Sequence, residues 1–91
     1  MVHAIRIHQY GGPEVMRWEA IDLAAPAAGE VRIRNTAVGL NYIDTYHRSG
    51  LYPVGTLPAV IGMEGAGEVI ALGAGVEGLA VGDRVAYANP I

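Results

Sequence analysis

The segment NYIDTYHRSGLYP, residues 41–53, holds most of the side chains in this chain that are suited to chemistry. It contains three of the five tyrosines, together with an asparagine, an aspartate, a histidine and an arginine. Phenols and amides donate hydrogen bonds without carrying charge, and tyrosine rings offer flat apolar surfaces for stacking. The segment could therefore hold a bound ligand through Asn41 and two of its phenols.

The same segment carries the signals of a short helix near residues 42–49. Asn41 is a favourable N-cap, and Asp44 three residues later can accept a hydrogen bond back from the cap. Gly50 can end the helix in the left-handed conformation, and Pro53 prevents its continuation. A helix of two turns is too short to be stable alone, so we expect tertiary packing to hold it.

Two interpretations of this helix remain open from the residues alone. On the structural one, Tyr42 or Tyr46 packs into the core, Tyr52 fills a loop, and Asp44 forms an exposed ion pair with Arg48 four residues on. On the functional one, the asparagine and two phenols point towards a ligand. The two are compatible, because a capping asparagine can also face a cleft.

Composition limits the classes of protein to which the chain can belong. Its 91 residues allow at most one domain, and its net charge of −3 without a basic patch argues against nucleic acid as a partner. No apolar run reaches the roughly 18 residues of a membrane span, and the N-terminus lacks the apolar core of a secretory signal. The absence of cysteine excludes disulfides and zinc sites of the cysteine type. We expect a soluble, cytoplasmic protein.

Alternation of apolar and polar residues predicts a mainly β domain. Five segments show it, with a bulge expected at Ala20–Ile21 where the phase slips. They are residues 2–10, 16–23, 30–34, 67–72 and 82–88. Short strands separated by Gly and Pro predict a small barrel or sandwich. The last strand is followed by no capping tail, which favours a domain truncated at its C-terminal end.

Two apparent ligand motifs are better explained structurally. GAGVEG at 73–78 matches G-x-G-x-x-G, but the residues after it do not favour the helix that a dinucleotide-binding loop requires, so we predict a turn. The three histidines, His3, His8 and His47, are not clustered, so no metal site is predicted.

A series of motifs resembles a known family. In order they are PxxGEV at 26–31, GLNYID at 39–44, RSGLYP at 48–53, LP at 57–58, GMEGAGEV at 62–69, GAGV at 73–76 and GDRV at 82–85. Together they resemble the N-terminal catalytic domain of the medium-chain dehydrogenase/reductase superfamily. GGPEV at 11–15 and the long segment 41–53 resemble the NADPH-dependent quinone oxidoreductases of the zeta-crystallin branch.

The resemblance implies a fold and a reaction. The fold is a GroES-like, partly open β-barrel with one short helix near 42–49, so that residues 1–91 are a portion of the catalytic domain. The Rossmann domain of the family, which binds most of the NADPH, lies outside these residues. The reaction is hydride transfer to a quinone by a full-length protein expected to be a homodimer, and the 91 residues alone are expected to be inactive.

The resemblance also assigns site residues. It implies catalytic roles for Tyr46, Tyr52 and Asp44, and cofactor contacts for Asn41, Ile43 and Tyr46. Tyr46 and Tyr52 would hold or stack the acceptor and donate hydrogen bonds, and Asn41 would contact the nicotinamide side.

A departure from zinc-dependent relatives bears on the metal. Those relatives have a cysteine at the position of Asn41 and a histidine at that of Met63. Because neither an amide nor a thioether is a good zinc ligand, a metal-free site is expected. Alternatives are an enoyl or other activated-alkene reductase on the same scaffold, and a stand-alone GroES-like binding module without catalysis.

Overall fold

The computed structural model describes residues 2–90, and its backbone separates into two compact units. Residues 2–23 and 40–63 form the first unit, and residues 24–39 and 64–90 form the second. The elements, in chain order, are β1 (Val2–Ile7), a 3-10 turn (Pro13–Val15), β2 (Met16–Ile21), β3 (Val31–Val38), α1 (Tyr42–Ser49), β4 (Ala59–Val60), β5 (Glu64–Leu72) and β6 (Arg84–Ala88).

The first unit is built on a three-stranded antiparallel sheet in the order β2-β1-β4. Ile7 on the central strand is fully buried, and Val15 in the 3-10 turn is buried as well. Ile5, two residues earlier on the same strand and therefore on the same face of the sheet, is 38% exposed. The core of this unit therefore lies at the end of β1 that leads into the Gly11-Gly12 turn.

The bulge predicted at Ala20–Ile21 is wrong. β1 and β2 pair without interruption from Val2 opposite Ile21 to Ile7 opposite Met16. β2 is an edge strand whose residues are largely exposed, so its side chains need not alternate strictly between a buried and a solvated face.

The second unit has β5 at the centre of a sheet in the order β3-β5-β6. Here the register between β3 and β5 does shift, between Arg32 and Ile33 and again between Asn35 and Ala37. Val69 on β5 is fully buried. A Cβ atom on Gly67 would collide with the backbone carbonyl of Arg34, so the absence of a side chain allows the two strands to approach closely.

The prediction of a mainly β fold with one short helix is confirmed. The strands form two three-stranded antiparallel sheets, one in each unit, and α1 covers the predicted residues 42–49. Residues 73–78 form turns, and the next regular element is strand β6 rather than a helix, so the turn prediction for GAGVEG is also confirmed. Among residues 2–90, no helix is both long enough and apolar enough to span a membrane.

Glu19 on β2 is expected to make a pH-dependent contribution to the stability of the first unit. His8 Nε2 lies 2.6 Å from Glu19 Oε1, and Arg6 Nε donates to the same oxygen at 3.2 Å. The contact with His8, more than that with Arg6, holds the pKa of the Glu19 carboxyl below its ordinary value. Because the pKa is lower in the folded chain, the unfolded chain takes up the proton first as the pH falls.

We therefore expect this contribution to be complete above about pH 5 and to be lost as the pH falls through the lowered pKa of Glu19. Urea unfolding of wild type and Glu19→Gln between pH 3 and 7 measures it, with Glu77→Gln, at an exposed glutamate in the 73–78 turn, as the control. Near pH 7 the free energy of unfolding of the wild type should exceed that of Glu19→Gln. This difference should disappear as the pH approaches 3. An advantage that stays constant across this pH range would contradict the expectation.

Candidate functional site

Helix α1 begins with the predicted capping box. The N–H of Asn41 donates to Asp44 Oδ2 at 2.9 Å, and the side chain of Asn41 in turn receives the N–H of Asp44. Asp44 is only 4% exposed, whereas Asn41 is exposed at the beginning of the helix. The cap therefore fixes the backbone that presents the asparagine amide.

The predicted exposed ion pair between Asp44 and Arg48 is wrong. Asp44 is buried, and Arg48 is directed to another partner: its Nε donates to the carbonyl of Gly11 at 3.2 Å. The N–H of Gly11 donates to the carbonyl of Arg48 at 3.0 Å. These two bonds attach the turn after β1 to the last turn of α1, so Arg48 stabilises tertiary structure rather than the helix surface.

Tyr46 and Tyr52 are brought together where α1 ends. Gly50 has the predicted left-handed conformation, with φ of 88°, and its N–H donates to the carbonyl of Tyr46 at 3.0 Å. The chain then reverses, and the N–H of Tyr52 donates to the same carbonyl at 3.3 Å. The two rings meet edge to face, with centroids 5.5 Å apart and planes at 88°. Tyr46 is 36% exposed and Tyr52 is 53% exposed, so both rings offer surface to a ligand.

The expectation that Tyr42 or Tyr46 packs into the core is wrong. Tyr42 is 85% exposed, and Tyr46 is partly exposed in its pair with Tyr52. The buried position of the helix is taken by Asp44 instead. Ile43, predicted to touch the cofactor, is half-buried in the first turn.

The predicted site residues thus form two groups in the first unit. Asn41 and Asp44 are joined by the capping box at the beginning of α1, and Tyr46 and Tyr52 are joined by their ring contact further along. Two buried polar atoms of the helix, Asp44 Oδ1 and His47 Nδ1, have no hydrogen-bond partner among the described residues. Within residues 2–90, no three His, Asp or Glu side chains lie together as a metal-binding group.

One residue near the site was not singled out from the sequence. The hydroxyl of Tyr10 accepts a hydrogen bond from the N–H of Val54 at 3.1 Å, across 44 positions of sequence. Its ring lies against Gly50, where a Cβ atom would come within 2.9 Å of Tyr10 Cγ. No local pattern around QYGG signals so distant a contact, which only the tertiary structure reveals.

Replacement of Asp44 by alanine is expected to lower the free energy of unfolding by about 1–2 kcal/mol, because it removes the carboxylate that accepts the N–H of the cap residue. Urea unfolding followed by circular dichroism measures the change. Asp22→Ala, at an exposed aspartate between β2 and β3, is the matched control and should change stability by less than about 0.5 kcal/mol. Equal effects of the two substitutions would mean that the capping box contributes nothing measurable.

Comparison with known proteins places the chain in a family. The alcohol dehydrogenase GroES-like domain family matches residues 27–91. The chain is 56% identical over 89 residues to the quinone oxidoreductase of Pseudomonas aeruginosa, covering 98% of the chain and 27% of that protein. It is 46% identical over 93 residues to the 2-haloacrylate reductase of a Burkholderia species, covering 99% of the chain and 28% of that protein.

The chain is also similar to a solved structure. Escherichia coli quinone oxidoreductase complexed with NADPH superimposes with a TM-score of 0.94 and 46% sequence identity, over 97% of this chain and 27% of that one. The chain therefore spans about a quarter of the length of the relatives it matches. Since the family match covers most of the chain, these 91 residues belong to the alcohol dehydrogenase GroES-like domain family.

Proposed function

We propose that these 91 residues are the N-terminal part of an NADPH-dependent quinone reductase and form the wall of its active site that contacts the electron acceptor. The observation that carries the proposal is the pair of partly exposed phenols, Tyr46 and Tyr52, held edge to face at the end of α1. The likeness to quinone oxidoreductases over nearly the whole chain supports it.

The two phenols suit a quinone as the acceptor. Each can donate a hydrogen bond to a quinone oxygen, and the exposed ring surfaces can contact the flat ring of the acceptor. When bound, NADPH supplies a hydride from its nicotinamide. A quinone gains aromaticity on reduction and spreads the developing charge, so placement and hydrogen bonds from Tyr46 and Tyr52 suffice to stabilise it. The second hydrogen reaches the hydroquinone oxygen as a proton from water.

Asn41, Ile43 and Tyr46 are proposed to face the nicotinamide. The exposed amide of Asn41 carries two N–H donors besides the oxygen that caps the helix, which fits a carboxamide group. We assign Asp44 to the same site through Asn41: its buried carboxylate orients the cap residue that meets the cofactor. The 73–78 turn opens no helix to meet a pyrophosphate, so most of the cofactor would be held outside these residues.

The reaction is proposed to need no metal. At the two positions where zinc-dependent relatives carry cysteine and histidine, this chain has Asn41 and Met63. An amide oxygen and a thioether are weak ligands for zinc, so this donor set does not fit a catalytic zinc ion. A quinone also has less need of a Lewis acid than an aldehyde, whose reduction develops a localised alkoxide.

A second candidate is the reduction of an activated alkene. The 46% identity to a 2-haloacrylate reductase over 99% of the chain favours it. In such a substrate a carbonyl or carboxylate oxygen conjugated to the double bond accepts charge during reduction. The phenols of Tyr46 and Tyr52 would donate to that oxygen as they would to a quinone.

For the full-length protein we further infer a cytoplasmic homodimer that binds no nucleic acid. The acidic balance of the chain, with a net charge of −3, supports the last point because a phosphate backbone attracts basic surfaces. Size-exclusion chromatography with light scattering would test the dimer directly.

The proposed function is tested by measuring NADPH oxidation by the full-length protein with 1,4-naphthoquinone and with 2-chloroacrylate, before and after treatment with a metal chelator. We expect kcat/KM to be at least about tenfold higher for the quinone and unchanged by the chelator. The reverse preference would favour the activated-alkene reductase. Oxidation with neither acceptor would favour a non-catalytic binding module and contradict the proposal.

A further inference from the structure

Tyr10 contacts both ends of the loop that carries Tyr52. At the first end, its ring lies against Gly50, where the lack of a Cβ atom allows this approach. At the other end, its hydroxyl accepts the N–H of Val54 at 3.1 Å in a partly buried hydrogen bond. We call residues 50–54 the tyrosine loop; Tyr52 is its middle residue.

The segment that holds Tyr10 is itself attached to α1. The neighbouring Gly11 exchanges two hydrogen bonds with Arg48, one from its N–H to the Arg48 carbonyl at 3.0 Å and one from Arg48 Nε to its own carbonyl at 3.2 Å. Residues 10–11 therefore contact the last turn of the helix and the tyrosine loop at once. The backbone next to Tyr10 is therefore fixed to the helix, so Tyr10 can restrain the loop.

The two contacts that Tyr52 itself makes with Tyr46 are weak. Its N–H donates to the carbonyl of Tyr46 at a long 3.3 Å, and its ring touches Tyr46 only by an edge-to-face contact. More than half of the residue is exposed. If Val54 is released, the chain on one side of Tyr52 loses a fixed point, and the ring can move away from Tyr46.

We infer that Tyr10 is a positioning residue for the acceptor site: it holds the tyrosine loop so that Tyr52 stays against Tyr46. It acts through the loop and does not itself touch the ligand. The inference rests on the proposed function for the identity of the ligand. That Tyr10 holds the tyrosine loop does not depend on the identity of the ligand, because it is inferred from the contacts of Tyr10 alone.

The variant Tyr10→Phe isolates the effect, since it keeps the ring against Gly50 and removes only the hydroxyl that accepts the N–H of Val54. Tyr87→Phe is the matched control: it also removes a phenol that accepts a hydrogen bond, from Asn35 Nδ2 at 3.1 Å, but in the second unit. Loss of one hydrogen bond is typically worth about a factor of five in an equilibrium constant.

Two measurements are made on the 91-residue chain by nuclear magnetic resonance. In the wild type, we expect slow hydrogen exchange at the Val54 amide and nuclear Overhauser contacts between the ring of Tyr10 and Gly50. In Tyr10→Phe the Val54 amide should exchange about fivefold faster and the Tyr52 ring resonances should shift, with neither change in Tyr87→Phe. Urea unfolding confirms that each variant is folded.

A third measurement is made on the full-length protein. Tyr10→Phe should raise KM for the quinone about fivefold with kcat nearly unchanged, because a looser Tyr52 weakens acceptor binding in the ground state and the transition state alike. In a Tyr52→Ala background, Tyr10→Phe should raise KM no further. A residue with only a general structural role would add its effect in both backgrounds.

These measurements test the positioning role of Tyr10 separately from the proposed reduction of quinones. Unchanged Val54 exchange in Tyr10→Phe, absence of the Tyr10–Gly50 contact in the wild type, or additive effects with Tyr52→Ala would each overturn the positioning role. If the wild-type full-length protein does not reduce quinones, the proposed function fails. The exchange and ring measurements then decide by themselves whether Tyr10 holds the loop.

Discussion

Replacement of Tyr46 by alanine in the full-length protein is expected to lower kcat/KM for quinone reduction by about 100-fold. The substitution removes a phenol that would donate to the acceptor, and it removes the ring against which Tyr52 rests. A hydrogen bond contributes about 1 kcal/mol and an aromatic pair about 0.5–1.5 kcal/mol, and displacement of Tyr52 adds to both losses. A total near 2.7 kcal/mol corresponds to the stated factor.

Tyr42→Ala is the control, since it removes the same type of side chain from the same helix at a position that is almost fully exposed. It should leave kcat/KM within about twofold of the wild type. Tyr46→Phe, which keeps the ring, should lower kcat/KM about fivefold, so comparison with Tyr46→Ala separates the effect of the hydroxyl from that of the ring contact. Equal losses for Tyr42→Ala and Tyr46→Ala would contradict the assignment of Tyr46 to the acceptor site.

Replacement of Ile7 by alanine is expected to lower the free energy of unfolding of the chain by about 2–5 kcal/mol. Ile7 is fully buried on the central strand of the first sheet, so the substitution removes apolar contact and leaves a cavity. The loss is large against the stability of so small a chain, because domains of this size bury little apolar surface.

Urea unfolding of the 91-residue chain measures this loss, and Ile5→Ala on the same strand is the control. Ile5 is 38% exposed, so its truncation should cost less than about 1.5 kcal/mol. If Ile7→Ala is unfolded without denaturant, Ile7→Val provides a graded substitution expected to cost about 0.5–1.5 kcal/mol. Similar losses at the two positions would mean that the core of the first unit does not lie at Ile7.

Features determined by neighbouring residues could be predicted from the sequence. The cap at Asn41 and Asp44 and the left-handed end at Gly50 depend on side chains within a few positions of the helix. For this reason the bounds of α1 were confirmed. The turn at 73–78 was confirmed for a similar reason, since glycines and the following strand pattern exclude a helix there.

Features determined by distant contacts could not be predicted. The four-residue spacing of Asp44 and Arg48 suggests an ion pair, but burial of the first and the bond of the second to Gly11 override it. Helical spacing also does not say which face is covered, so Tyr42 was expected as a core candidate although it is exposed. The contact of Tyr10 with Val54 could not be predicted because the two residues lie 44 positions apart in the sequence.

The roles of the site residues came from resemblance rather than from spacing. The residues alone allow a capped helix with exposed tyrosines, which occurs with or without a ligand. The structure adds that Tyr46 and Tyr52 meet and that their rings are partly exposed, and it adds that Asp44 is buried under the cap. Because these contacts are specific, substitution of the residues that make them can test the proposed roles.

These 91 residues are proposed to supply one wall of a site whose cofactor is held mainly outside them. The most direct test is a fluorescence titration of NADPH into the 91-residue chain and, in parallel, into the full-length protein. We expect saturable binding by the full-length protein and none by the 91-residue chain alone. Tight, saturable binding by the 91 residues would contradict it, and the 73–78 turn would then be the first segment to test for contact with the phosphates.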